Sequence, residues 1–131
     1  MKNILAIIGG SGLYDIKDFN IIEEIEIDTP WGKPSDKIIK LIYENQILYF
    51  LPRHNRGHSL SPSNINYRAN ICALKMLNVT DIVSISAVGS LKENISPKTF
   101  VIVDQYIDLT YQRKKTFFDK SIVAHVSMAK P

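Results

Sequence analysis

Apolar residues in this chain gather into short runs, each closed by small, polar or turn-forming residues. Asn3–Ile8 (NILAII) is a continuous apolar run that stops at Gly9-Gly10, the pattern of a buried, central strand. Phe19–Asp28 alternates loosely, as a strand with one wet face does, and Thr29-Pro30-Trp31-Gly32 reads as a turn. Lys37–Tyr43 and Gln46–Leu51 read as a hairpin around Glu44-Asn45. The period then changes. Ile65, Ala69, Cys72, Ala73 and Met76 recur at helical spacing, widened by Leu74 and Leu77. Ser63 is the predicted cap of this helix, and Asn78 suits the left-handed residue that ends one. Thr80–Ser86 is predicted as a further buried strand, with Phe100–Val103 and Tyr106–Leu109 as short strands joined at Asp104-Gln105. Strand and helix alternation with hairpins among the strands predicts an α/β fold, a mixed β-sheet flanked by helices.

Three of these strands end in residues suited to an anion. After the first come Gly9, Gly10, Ser11 and Gly12, which let the backbone bend sharply, direct N–H groups outward and add a hydroxyl donor. This run has neither the glycine spacing of a dinucleotide fingerprint nor the Gly-Lys-Ser/Thr of a P-loop, and a plain tight turn is the alternative. The hairpin's second strand delivers Arg53 and His54, followed by Arg56 and His58, with Asn55 and Gly57 between them. Guanidinium forks and imidazole nitrogens suit a tetrahedral oxyanion, while a solvated basic loop is the bland reading. The third end holds Ser86, Ala87, Gly89 and Ser90, where small residues permit close backbone approach. Three such ends on one sheet point to a single phosphate-sized pocket at its rim, where open α/β sheets bind their ligands. Cys72, on the apolar helix face, reads as core rather than nucleophile.

Composition narrows the class. The 131 residues match one domain, and 45% hydrophobic content is ordinary for a globular protein. The net charge of +3 is mild, with 13 acids scattered among the bases, which argues against nucleic acid as partner. Arg53, Arg56, Arg68 and the Arg113-Lys114-Lys115 run are the electrostatic basis for that minor alternative, without a recognition or stacking motif. A single cysteine excludes an intramolecular disulfide and fits a reducing compartment. No apolar run nears the ~20 residues of a membrane span. The expectation is a soluble, cytoplasmic protein without membrane association.

The blocks IIGGSGLY (7–14), TPWGKPSD (29–36), LPRHNRGHSLSPSNINYRANI (51–71), SISAVGSLKENI (84–95) and VDQYIDLT (103–110) resemble the S-methyl-5′-thioadenosine phosphorylases. These belong to the trimeric purine nucleoside phosphorylase superfamily, and the resemblance runs along the whole chain. It implies phosphorolysis, in which inorganic phosphate attacks ribose C1′ of 5′-methylthioadenosine and displaces adenine. By resemblance the phosphate is bound by Ser11, Arg53, His54, Ser86 and Ala87, the same set the strand ends single out. The family often has Thr at the places of Ser11 and Ser86, and either hydroxyl can donate. It usually has Gly in place of Asn55, where Asn also tolerates a left-handed backbone.

The resemblance further implies a purine nucleoside and inorganic phosphate as partners, a homotrimer in the full-length form, and neither metal nor organic cofactor. His125 lies where a family residue reaches towards the 5′ substituent in a neighbouring subunit; a core or surface histidine is the alternative. Family members run to roughly twice this length, with the ribose contacts and the purine-protonating carboxylate in the second half. The expectation is therefore the N-terminal part of a single phosphorylase domain, over residues 1–131, inactive alone. Methylthioinosine, inosine or guanosine as substrate, or a non-catalytic phosphate-binding or interaction module, are the alternatives.

Overall fold

The apolar run after Asn3 forms strand β1, Leu5–Gly9, and the other strands assemble on either side of it. The computed structural model describes residues 3–10, 13 and 19–129. In chain order there follow β2 (Asn20–Ile25), β3 (Ile38–Tyr43), β4 (Gln46–Pro52), α1 (Tyr67–Met76) and β5 (Asp81–Ser84). One five-stranded sheet has the order β2-β3-β4-β1-β5. β1 runs parallel to both neighbours, with Ile7 opposite Phe50 of β4 and Val83 of β5. β2, β3 and β4 pair antiparallel, so the sheet is mixed, as the hairpin pattern predicts. At its tip Glu44 (φ 46°) and Asn45 (φ 61°) are both left-handed, the backbone that suits a two-residue hairpin.

Alternation along the strands sorts side chains to two faces. Ala6, Ile8, Ile38, Tyr49 and Leu51 pack with Ala73 and Leu74 of α1 and with Val79. Leu41, Leu48 and Phe50 form the opposite layer, with Leu5, Ile7 and Ile39 against them. Burial of Ile38, Leu51 and Leu74 is essentially complete, which places the core between the sheet and its helix.

Four expectations need correction. The helix is capped by Asn66 rather than Ser63: the Asn66 side chain accepts the Ala69 N–H at 3.2 Å. Ser63 instead sits inside a turn closed by the Asn64 N–H on the Ser61 carbonyl. The buried helical face is Ala69, Asn70, Ala73 and Leu74, leaving Met76 54% exposed and Cys72 half-buried. An apolar count alone misses Asn70, which is buried because it is hydrogen-bonded. β5 is an exposed edge strand rather than a buried one, since among the described residues only β1 pairs with it. Lastly, Phe100–Val103 and Tyr106–Leu109 form no strands. A strand exists through its ladder, and no described residue pairs with these, so Phe100 and Ile102 stand 91% and 98% exposed.

The chain divides into two units, residues 1–86 with the sheet and helix, and residues 87–131. The second has neither helix nor strand among its described residues. It is tied locally, for example by the Gln105 amide donating to the Met128 carbonyl at 2.9 Å and by a Lys115–Asp108 ion pair.

Candidate functional site

β1, β4 and β5 are parallel, so their C-terminal ends share one rim of the sheet. The ladders continue past the strand ends, with the Arg53 N–H on the Gly9 carbonyl at 3.0 Å and the Ile85 N–H on the Ile8 carbonyl at 2.9 Å. The Arg53 side chain lies across this rim. Its Nη1 donates to the Ile85 carbonyl at 2.7 Å and its Nε donates to His54 Nε2 at 3.1 Å. Its Nη2 faces the glycine turn: a Cβ built on Gly10 would stand 3.3 Å from that nitrogen. One guanidinium therefore bonds to the ends of β4 and β5 and lies near the turn that follows β1.

His54 is 7% exposed and held from two sides. Its Nδ1 lies 2.9 Å from the Leu60 carbonyl, and the Leu60 N–H returns to the His54 carbonyl at 3.0 Å. The loop between them folds tightly because Asn55 (φ 64°), Gly57 (φ 80°) and His58 (φ 57°) all take left-handed backbone. Asn55 thus adopts the geometry expected where the family has glycine. His58 is exposed and stacks on His54, ring centroids 4.6 Å apart at 25°.

Arg56 turns away from this cluster. It donates to Glu24 of β2 through Nη1 (2.5 Å) and Nη2 (3.1 Å), and to Asp36 through Nε (3.1 Å), Nη2 (3.2 Å) and the backbone N–H (2.8 Å). The hydrogen bond from Arg56 is the chief cause holding the Glu24 carboxyl below its usual range. Burial opposes ionisation of Asp36, but the bonds from Arg56 and Lys37 outweigh it and its carboxyl also sits low. The Arg56 guanidinium is pushed up in turn, first by Glu24 and then by Asp36. Next to Asp36, Ser35 is clamped by the helix: its N–H donates to Asn70 Oδ1 at 2.7 Å and its hydroxyl accepts from Asn70 Nδ2 at 2.9 Å. Asn66 also donates to the Trp31 carbonyl at 2.7 Å. The blocks 29–36 and 51–71 are thus one hydrogen-bonded structure: α1 and its cap hold the 29–36 loop, and Asp36 of that loop holds Arg56.

A family model described as "Phosphorylase superfamily" matches residues 4–131. The chain belongs to the phosphorylase superfamily. It is 54% identical over 131 residues to an S-methyl-5′-thioadenosine phosphorylase of Hyperthermus butylicus, covering 100% of this chain and 48% of that protein. A protein of the same name from Rhodospirillum rubrum is 53% identical over 128 residues, covering 98% of this chain and 44% of that one. Among solved structures, methylthioadenosine phosphorylase from Schistosoma mansoni in complex with adenine superposes with a TM-score of 0.92. Its identity is 40%, with 98% of this chain and 48% of that chain covered. The mixed sheet is thus the purine nucleoside phosphorylase type of fold, and the chain spans about half the length of the relatives it matches.

On this phosphorylase-superfamily chain the predicted site residues fall as follows. Arg53 and His54 meet at the rim. Ser86 is exposed one residue beyond the Ile85 carbonyl that holds Arg53, and the exposed Ala87 opens the second unit. Ser11 lies outside the described residues. Sequence reasoning missed the partners of this loop: Leu60 and Ile85, which hold His54 and Arg53, and Glu24 and Asp36, which draw Arg56 away. Two are backbone carbonyls and leave no sequence signal; Asp36, in a block that carries the resemblance, was the findable one. Among the described residues no group of His, Cys, Asp and Glu could hold a metal ion. An apolar cavity of about 90 Å³, lined by Ile7, Leu13, Phe19, Leu41, Leu48, Phe50 and Ile85, offers no polar group to an anion. Among the described residues no helix is long and apolar enough to cross a membrane.

Proposed function

We propose that this chain carries the phosphate-binding part of a 5′-methylthioadenosine phosphorylase, a pentosyltransferase of purine and methionine salvage in the cytoplasm. Inorganic phosphate attacks C1′ of the nucleoside, releasing adenine and 5-methylthioribose 1-phosphate, without metal or organic cofactor. The observation that carries the reading is the Arg53 guanidinium lying across three strand ends, with its Nη2 turned to the glycine turn. Ser11, Arg53, His54 and the Ser86–Ala87 segment build the phosphate pocket. The names of the relatives support the substrate.

The physical logic suits such a pocket. Breaking the bond to the base leaves an oxocarbenium-like sugar, as in glycoside hydrolysis. A phosphate dianion fixed beneath that cation both stabilises and attacks it, so positioning can supply roughly 7–11 kcal/mol of the barrier. In this reading the ribose contacts and the carboxylate that receives the purine belong to the second half of the relatives' length, the full-length form is a homotrimer, and residues 1–131 are part of a single domain. Purine choice, including methylthioinosine, inosine or guanosine, rests on that half.

The test is phosphate-dependent release of adenine from 5′-methylthioadenosine, with this chain alone and with a C-terminal half of a relative such as the Hyperthermus butylicus protein added to it. Release only on addition supports the reading. Phosphate binding without release in either case favours a second one, a non-catalytic phosphate-binding module, which the length of about half a relative also suits. No phosphate binding at all removes both.

A further inference from the structure

Arg56 follows closely on Arg53 and His54, yet its side chain is aimed at carboxylates. We infer, resting on the phosphate-site reading above, that Arg56 is a positioning residue for that site: it pins the turn that carries Arg53 and His54 to Glu24 of β2 and to Asp36 of the 29–36 loop. Four of the five N–H donors of its guanidinium are engaged, Nε and Nη2 on the two oxygens of Asp36, Nη1 and Nη2 on those of Glu24. Two such paired contacts fix the plane of the guanidinium, which a point charge could not do. The Arg56 backbone N–H adds a bond to Asp36 at 2.8 Å, so the main chain of the turn is gripped along with the side chain. The Asp36 side chain is only 9% exposed, and Arg56 is its counter-charge.

The turn needs such a grip. Asn55 and His58 hold left-handed backbone without being glycine, a conformation that persists only where the surroundings enforce it. The His58 N–H on the Asn55 carbonyl and the Leu60 N–H on the His54 carbonyl close the turn on itself and leave its tilt open. Arg56 ties it to ground that is itself fixed, since Asp36 follows Ser35, which Asn70 of α1 clamps at 2.7 and 2.9 Å. The charge balance excludes simple attraction as the role. Arg56 and the nearby Lys37 stand against Glu24 and Asp36, so the cluster has no surplus of positive charge to draw an anion. What Arg56 gives the phosphate site is the placement of Arg53 and His54.

The sign of one substitution separates placement from charge. Affinity for inorganic phosphate is measured by calorimetry, with the urea midpoint alongside, for the unaltered chain, Asp36→Asn, Arg56→Lys and Arg53→Ala. Asp36→Asn removes a negative charge, so charge alone would tighten phosphate binding; loss of placement weakens it several-fold, which is the expected result. Arg56→Lys keeps the charge without the paired geometry and should also weaken binding several-fold. A lower urea midpoint with phosphate affinity unchanged or tighter would make the cluster a brace of the fold alone and overturn the role. Should either variant fail to fold, the unaltered chain decides: coupling is reciprocal, so hydrogen exchange at the Arg56 amide should slow several-fold in saturating phosphate. An exchange rate that phosphate does not move overturns the role as well. Arg53→Ala should weaken binding roughly tenfold or more, the range of a charge-assisted bond. No binding by the unaltered chain, or an unchanged affinity in Arg53→Ala, sinks the site reading itself and takes this role with it.

Discussion

Four cations in six positions do not share one fate. Arg53 spans the rim, His54 is buried against it, His58 stacks on top, and Arg56 is drawn off by two carboxylates. In the proposed phosphate site Arg53 supplies the guanidinium, so Gly10 should matter as the space in front of it. Gly10→Ala puts a methyl 3.3 Å from Nη2; it should lower phosphate affinity several-fold while leaving the urea midpoint nearly unchanged. An unaltered affinity in calorimetry would show that the guanidinium is not confined there. Legibility at this scale followed charge and shape. Arg53 and His54 could be singled out together because both side chains suit an anion, and the left-handed Asn55 because the family usually has glycine there. The departure of Arg56 could not, since Glu24 and Asp36 stand 32 and 20 positions away.

At the scale of elements, the helix braces the 29–36 loop, and Arg56 ties the site loop to that loop and to β2. Asn70 is 2% exposed and uses both ends of its amide on Ser35. Asn70→Ala leaves the buried Ser35 N–H and hydroxyl without that partner, so about 1–3 kcal/mol of stability should be lost in urea titrations. An Asn70→Ala chain as stable as its parent would mean that the 29–36 loop is held some other way. The Arg56 carboxylates predict a pH dependence of definite sign. Glu24 and Asp36 ionise more easily folded than unfolded, so their contribution is present above the ordinary carboxylate range, about 3.9–4.3. It is lost as pH falls through their lower folded values. Unfolding midpoints should therefore drop below about pH 4, and Asp36→Asn should lower the neutral midpoint and flatten the acid fall; an equally steep fall in the variant would acquit Asp36. β1, β3, β4 and the hairpin tip were readable because period and turn chemistry agree there. Burial of β5 was misread because apolar letters do not report how many neighbours a strand has.

For the whole molecule, the sheet ends on β5, whose outer side pairs with no described residue, and Ile82 and Val83 are 41% and 46% exposed. Exposed apolar edges template association between chains. This 131-residue chain should therefore self-associate as its concentration rises, and Val83→Lys should shift light scattering towards the monomer. No difference between the two would clear the β5 edge. The same scale explains the failed strands at Phe100–Val103 and Tyr106–Leu109. Their letters suit a ladder, but no described residue supplies one, and sequence shows a strand's propensity without showing its partner.

The guanidinium that joins β1, β4 and β5 has a consequence for how this protein acquires its shape. Its contacts close only when segments 43 and 32 positions away are already in register, so no partly assembled sheet presents the complete fork. If the proposed site is right, phosphate acts as a folding ligand, drawn to the finished arrangement alone and tilting the balance towards it. At roughly ten times its Kd it should add about 1.4 kcal/mol to unfolding. The anion would serve as co-substrate and as inspector of the fold at once.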